Sequence, residues 1–274
     1  MYKEKKLKNI IITVGIIYLI LAVLNLFFYD GSLEGIGDRW ILKFGDNFFL
    51  GQINPMTLIM SLAVMGIFLL FIKGLKFERI PGRKQSLIEM VLDYFWQLTD
   101  ETVPVQKYKK PTFVISMTLF FYILISNVLS GIPGISTTSV GGDLKAINLF
   151  TDTWYTPTSD LNVNVVYAVM VLLVGHAFAI KSKGLKNWLK TFLSPTPLML
   201  PMNIIGEIAK PVSHSLRLFG NIMGGGILVF ILSYMLKYFV LPVVLWGFFG
   251  WFVGAIQAFV FALLSIAYTG SLLE

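Results

Sequence analysis

The sequence contains no cysteine, only two histidines, and charged residues at just 14% of its 274 positions. Without cysteine, disulfides and thiolate metal sites are excluded. Two histidines in different apolar segments and no pair of carboxylates make a membrane enzyme a poor reading, since such a centre needs a nucleophile, a metal cluster or an acid/base pair. So little charge also leaves too little polar surface to coat a soluble globule, because 56% of the residues are hydrophobic and the mean hydropathy is +0.75. Alternation of apolar and polar side chains, the mark of transmembrane strands, is missing from stretches such as Phe113 to Ile115 and Leu228 to Leu232. Internal repeats and low-complexity tracts are also absent.

What is present is long apolar sequence. Charge-free runs extend over Ile10 to Tyr29, Asn47 to Ile72, Pro111 to Gly142, Leu161 to Ile180, Leu218 to Leu236 and Tyr238 to Leu273. Each approaches or exceeds the roughly 20 residues that a helix needs to cross a bilayer. The expectation is an all-α membrane protein with about six transmembrane helices, forming a single membrane domain over residues 1–274, in which 1–53 supply the first span and an outer loop. Ile10 to Leu24 could open a signal peptide, yet no small-x-small cleavage site follows, which favours an uncleaved span.

Orientation follows from lysine and arginine, because cationic loops stay on the cytoplasmic side during insertion. Basic residues gather in Met1 to Lys8, Lys73 to Lys110 and Lys181 to Lys190, whereas Asp30 to Asp46 and Gly131 to Asp160 carry more acidic and few basic groups. Six spans with the N-terminus inside put every basic segment inside and return the C-terminus there. The net charge of +7 is thus a topology signal and supports no nucleic-acid partner. Within the long inner segment, Leu87, Val91, Tyr94 and Leu98 form one stripe of an amphipathic helix over 84–103, with Gln85, Glu89, Asp93, Gln97 and Asp100 opposite and Pro104 as its stop. Its apolar face suits either the lipid bilayer surface or a partner subunit. Gly131 to Gly134 and Tyr155 to Asp160 are turn sequences that bound an outer loop.

One stretch, Ser213 to Gly226 (SHSLRLFGNIMGGG), places an arginine in strongly apolar sequence. Glu207, Lys210, His214, Arg217 and Asn221 follow one another by steps of three and four, so a helix puts all five on one face. A charge at the bilayer centre costs about 2.5 to 3.5 kcal/mol on insertion scales, so such residues face water or a partner and mark ion paths. Snorkelling to an interface is the alternative, and it suits Glu207 and Lys210, which lie nearer the cytoplasmic loop. Arg217 has no such exit, and a guanidinium, unlike a lysine amine, keeps its proton when buried. Gly220 and Gly224, with Gly225 and Gly226, let another helix come close. The natural target of the cation is a carboxylate, and the only one in these spans, Glu207, sits on the same helix; the partner acid belongs to another protein.

Lys210 to Asn221 (KPVSHSLRLFGN) resembles the signature of subunit a of F-type ATP synthases. Ile80 to Gln85 ahead of the amphipathic helix, Asn127 with Gly131 to Gly134, Ser159 to Asn164, and Gln257 to Phe261 in the last span match in the family's order, from about Asn54 to the C-terminus. The resemblance implies a stator subunit that sets two long tilted helices, within 198–274, against a ring of c subunits whose carboxylates bind H⁺ or Na⁺, with no cofactor and no metal site. It further implies a b-type peripheral stalk, an indirect link to the ATPase head, and a multi-pass place in a bacterial plasma membrane with both termini cytoplasmic. Arg217 would separate two aqueous half-channels. Asn221 and Gln257 match positions lining the path near it, although either would also serve as an interhelical hydrogen bond. Asn127, Asp160, Asn162 and Asn164 suit the outer half-channel, with helix capping the alternative for Asp160 to Asn164. Lys210 and Ser213, with Glu207, suit the cytoplasmic exit; His214 is near enough to Arg217 to titrate or simply to hydrogen bond, and His176 reads as structural.

This sequence departs from many proton-coupled relatives in lacking a carboxylate nine residues after the arginine and a histidine seven before the glutamine, where Gly226 and Gly250 stand. A hydrated Na⁺ route needs only polar lining and room, which tilts the expectation toward Na⁺. A secondary transporter would require a midplane substrate pocket with repeats or broken helices, and a gated channel a symmetric ring of like residues.

Overall fold

The computed structural model describes residue 16 and residues 42–43, 52–53, 55–74, 78, 81–140, 143–153, 156–193, 196–235, 244–245 and 247–274. The expected first span, Ile10 to Tyr29, lies outside the described residues apart from residue 16.

The fold is an all-α membrane bundle with two small antiparallel ribbons in its connections. The short pair β1 (Leu42–Lys43) and β2 (Gln52–Ile53) precedes α1 (Pro55–Gly74). Then come α2 (Arg83–Thr102) and α3 (Gln106–Ser130), followed by the hairpin β3 (Pro133–Val140) and β4 (Asp143–Thr153). A 3₁₀ turn, Pro157–Ser159, leads into α4 (Leu161–Lys183) and the short α5 (Leu185–Leu193). Helix α6 (Leu200–Met235) is 36 residues long; a π-helical segment, Gly247–Val253, runs directly into α7 (Gly254–Leu273).

Among the described residues, α1, α3, α4 and the joined Gly247–Leu273 segment are long and apolar enough to cross a membrane. In α6 the charged first half is followed by the apolar run from Leu218. At about 1.5 Å per residue its 36 residues reach about 54 Å, well beyond the roughly 30 Å of a hydrocarbon core. Large apolar side chains such as Leu62, Leu70, Val166, Leu173 and Met202 are exposed, as a lipid solvent favours and water does not.

The core joins α2, α3, α4, α6 and α7 through Phe95, Phe120, Ile123, Val171, Leu218, Phe261 and Ile266. Helix α2 is therefore part of the bundle. Phe95 stacks within 5.3 Å of both Phe120 and Phe259, while Leu87 and Tyr94 of the expected stripe are exposed and Val91 and Leu98 pack inward. The face covered within the chain is centred on Phe95, and the Leu87 and Tyr94 side of the stripe is left open, as a lipid surface or a partner subunit would require. Close helix approaches are made by glycines. A Cβ at Gly270 would lie 2.6 Å from the Thr102 carbonyl oxygen, and one at Gly250 only 2.2 Å from the Gly131 Cα, so neither position has room for a side chain.

Candidate ion-translocation site

Arg217 projects from the middle of α6 and is exposed on the isolated chain. Helical spacing groups it with Ser213, Gly220, Gly224, Ile227 and Ile231, all of them exposed. A Cβ at Gly220, Gly224 or Gly226 would meet nothing within 4 Å, whereas Gly225 on the other side is filled by Phe249, 2.9 Å from such a Cβ. The arginine-bearing face is therefore smooth and unoccupied while the opposite face is packed inside the chain. Among the described residues no carboxylate pairs with Arg217; the ion pairs are Lys109–Asp100, His176–Glu207 and Lys210–Glu207.

At its root Arg217 shares a small cavity of about 10 Å³, room for about one water molecule, with His214, Leu218, Gln257, Val260 and Phe261, and it is partly open to the outside. The structure thus brings together Arg217, His214 and Gln257 from α6 and α7. His214 packs its ring 5.1 Å from that of Phe261, and its Nε2, like Nδ2 of Asn221 one turn beyond the arginine, is buried without a hydrogen-bond partner. Leaving a buried polar atom unpaired costs about 1 to 3 kcal/mol, so such atoms mark places where water or an ion completes the shell.

The remaining site candidates separate toward the two ends. Toward the hairpin end, Asn127 is fully buried and donates from Nδ2 to the Gly254 carbonyl at 2.9 Å, and Asn164, also fully buried, donates to the Thr158 carbonyl at 2.8 Å. The Oδ1 atoms of both are buried and unpaired. Ser126 and Thr158 hydroxyls meet beside them at 3.1 Å. Asp160 caps α4, accepting from the Asn162 N–H at 3.0 Å, and it also accepts from Thr57 at 3.3 Å; Asn162 itself is exposed. Geometry gives Asp160 the capping role.

At the opposite end, Lys210 donates to Oε1 of Glu207 at 2.6 Å, and Tyr268 donates to Oε2 of the same carboxylate. Ser213, the next turn along, is exposed. His176, Tyr268 and Trp188 surround this pair, a cluster assembled from α4, α5, α6 and α7. Among the described residues no group of three or more His, Asp or Glu side chains is disposed to hold a metal ion.

The family described as ATP synthase A chain matches residues 55–270. The chain belongs to that family. It is 32% identical to ATP synthase subunit a of Bacillus subtilis over 238 residues, which span 80% of this chain and 93% of that protein. Similarity to the subunit a of Moorella thermoacetica is 33% over 225 residues, 81% and 92% of the two chains, and to that of Syntrophobacter fumaroxidans 31% over 259 residues, 92% and 96%. As a member of the ATP synthase A chain family it is a multi-pass membrane component of that assembly.

Sequence reasoning singled out Glu207 and Lys210 but missed Tyr268, which holds the carboxylate, and Trp188, which holds His176, and it read His176 without its partners. A histidine inside an apolar span was the available signal, since a polar ring at that depth must find a partner. Ser126, Thr156 and Thr158, buried beside Asn164, gave no such signal, because hydroxyls are common in membrane helices.

Proposed function

We propose that this chain is the ion-translocating stator subunit of a rotary ATP synthase. In this reading the exposed α6 face of Ser213, Arg217, Gly220 and Gly224 meets a ring of c subunits, with a b-type stalk and, indirectly, the ATPase head as further partners. The complex lies in a bacterial plasma membrane with both termini of the chain on the cytoplasmic side. Two half-routes reach the ring from opposite faces. Asn127, Asn164 and Asn221 line the outer one, Ser213 and Lys210 lie at the inner exit, and Gln257 flanks the arginine. A ring carboxylate arriving at Arg217 gives up its ion to form a charge pair, and a cation cannot pass the guanidinium directly because like charges repel. Net transfer from one half-route to the other then requires rotation.

The observation that carries this reading is an arginine at the centre of a long helix, without a carboxylate partner among the described residues, on a face whose glycines stand open. Replacing Arg217 with Ala in the whole complex, reconstituted in vesicles, should abolish ATP-driven ion uptake. Uptake at the unaltered rate would sink the assignment.

For the coupling ion, Na⁺ is the proposed choice. Gly226 and Gly250 occupy the two positions that could hold titratable groups, and at Gly250 even a Cβ is excluded by the Gly131 backbone. The amides of Asn127, Asn164 and Asn221 can line a hydrated cation route but have no proton to exchange, and among the described residues His214 at the root of Arg217 is the one titratable side chain beside them. ATP hydrolysis by the intact complex should then rise on adding Na⁺ at neutral pH, and indifference to Na⁺ would assign the chain to H⁺.

A further inference from the structure

The polar groups of the cluster around Glu207 satisfy one another. Trp188 donates its indole N–H to Nδ1 of His176 at 3.3 Å, and an indole nitrogen can only donate, so Nδ1 is the acceptor and the ring proton sits on Nε2. That Nε2 lies 3.3 Å from the Tyr268 hydroxyl and 3.5 Å from Oε2 of Glu207. The Tyr268 hydroxyl donates to Oε2, and Lys210 holds Oε1 at 2.6 Å. The Lys210 ammonium also lies 4.4 Å above the centre of the Tyr268 ring, a cation–π contact. Both carboxylate oxygens are engaged, and the charges of Glu207 and Lys210 cancel.

Position gives that cancellation a consequence. Lys210 and Arg217 share one face of α6 and are seven residues apart, about 10 Å along the axis. This is comparable to the screening length of about 10 Å at 0.1 M salt. Left unpaired, Lys210 would put a second cation beside the inner stretch of the route. With Glu207 in place, Arg217 is the only uncompensated charge among the described residues of α6.

We propose that His176, with Tyr268, is a positioning residue that holds Glu207 against Lys210 and so keeps the inner exit of the ion route electrically neutral. The inference rests on the assignment of Arg217 as the barrier. Glu207 is 19% and Lys210 40% exposed at the side chain, so their pairing depends on being steered. A flexible lysine at that exposure otherwise gains little from an ion pair, and the imidazole and phenol supply the steering from two other helices.

The test is ATP-driven ion uptake by the whole complex in vesicles, at about 10 mM and about 300 mM of a non-transported salt, where screening lengths are about 30 and 6 Å. Glu207→Gln exposes the Lys210 charge, so uptake should fall at least threefold at low salt and recover most of that loss at high salt. The pair Glu207→Gln with Lys210→Gln removes both charges and should regain at least half of the low-salt loss. His176→Leu should reproduce the salt-dependent fall, while His176→Gln, which can still donate to Glu207, should show less of it. A loss that ignores salt, or a double variant as impaired as Glu207→Gln alone, overturns the proposal in favour of simple packing. Arg217→Ala is run beside these variants. If it pumps, the barrier reading itself fails; if it is dead and Glu207→Gln pumps normally at low salt, only the present inference falls.

Discussion

The two ends of the helix bundle handle their buried polar groups in opposite ways. At the inner end Glu207, Lys210, His176, Tyr268 and Trp188 satisfy one another, and the nearby contacts are tight, with Gly175 leaving only 2.9 Å between its would-be Cβ and Leu272. From Arg217 toward the hairpin end, by contrast, Asn221 Nδ2, Asn127 Oδ1 and Asn164 Oδ1 are buried with no partner, as is His214 Nε2 one turn to the other side of the arginine. Thr112 Oγ1, near the start of α3, is the one other such atom among the described residues, and the amides of this set all lie from the arginine toward the hairpin. A closed cluster fixes helices, and a set of open ones leaves room for water. The same chain therefore combines a clamp whose polar groups satisfy one another with buried amides that keep an open hydrogen-bonding site.

The largest effect that separates packing from passage is expected at the glycines. Gly250→Ala puts a Cβ 2.2 Å from the Gly131 backbone, where nothing can move aside cheaply. Overpacking of this kind costs about 1 to 3 kcal/mol or more, and most of the assembled complex should be lost on purification. Gly226→Ala adds its methyl to open space and should leave the amount of complex unchanged. Equal yields from the two variants would show that the seam between the π-helical segment and the end of α3 is not a packing contact.

Much of this architecture is visible in the sequence. In lipid every backbone polar group must be satisfied within the segment, so long apolar runs can only be helices; Leu161 to Ile180 indeed lies within α4, Leu161–Lys183. Charge alone is a poor guide to ends. The charge-free run from Pro111 to Gly142 begins inside α3, which opens with the basic turn at Gln106, and it ends inside the hairpin, because the Ser, Thr and Gly that follow Ser130 are uncharged without being apolar. For α2 the pattern gave 84–103 against an observed Arg83–Thr102; Leu87 and Tyr94 of its stripe stay exposed on the isolated chain, while Phe95 beside them, which lies outside the stripe, is buried in the bundle. Periodicity gives the width of an apolar stripe, and neighbouring helices decide which part of it is covered. The meeting of His176 with Glu207 and Tyr268 was illegible for the same reason. Three residues on three helices are brought together by a relative register that Gly175 and Gly270 allow, and that register is written in no single segment.

A thiol scan reads the contrast between the ends directly. The absence of cysteine from this chain means that a single substitution places its only thiol. Cysteines at Asn127, Asn164 and Asn221 should react with a small water-soluble thiol reagent at least about tenfold faster than those at Tyr268 and Ile266, since a thiolate forms only where water reaches it. Uniform rates would remove the distinction between a wet and a dry side.

The smallest expected effect comes from the clamp itself. Tyr268→Phe keeps the ring under Lys210 and the packing of the inner end, and removes only the hydroxyl that donates to Glu207. Glu207 retains Lys210 at 2.6 Å, so the carboxylate is weakened in its shell without being abandoned. A lost hydrogen bond to a charged group costs about 1.5 to 3 kcal/mol, and the inner end is open enough at Lys210 for water to replace part of that. The denaturation midpoint of the purified complex should fall modestly, with pumping retained at moderate salt. A Tyr268→Phe complex as unstable as Gly250→Ala would mean that the clamp fastens α6 to α7 as firmly as the glycine seam fastens the π-helical segment to the end of α3. An unchanged midpoint would mean that Lys210 and His176 suffice to hold Glu207, leaving Tyr268 without the steering role assigned to it.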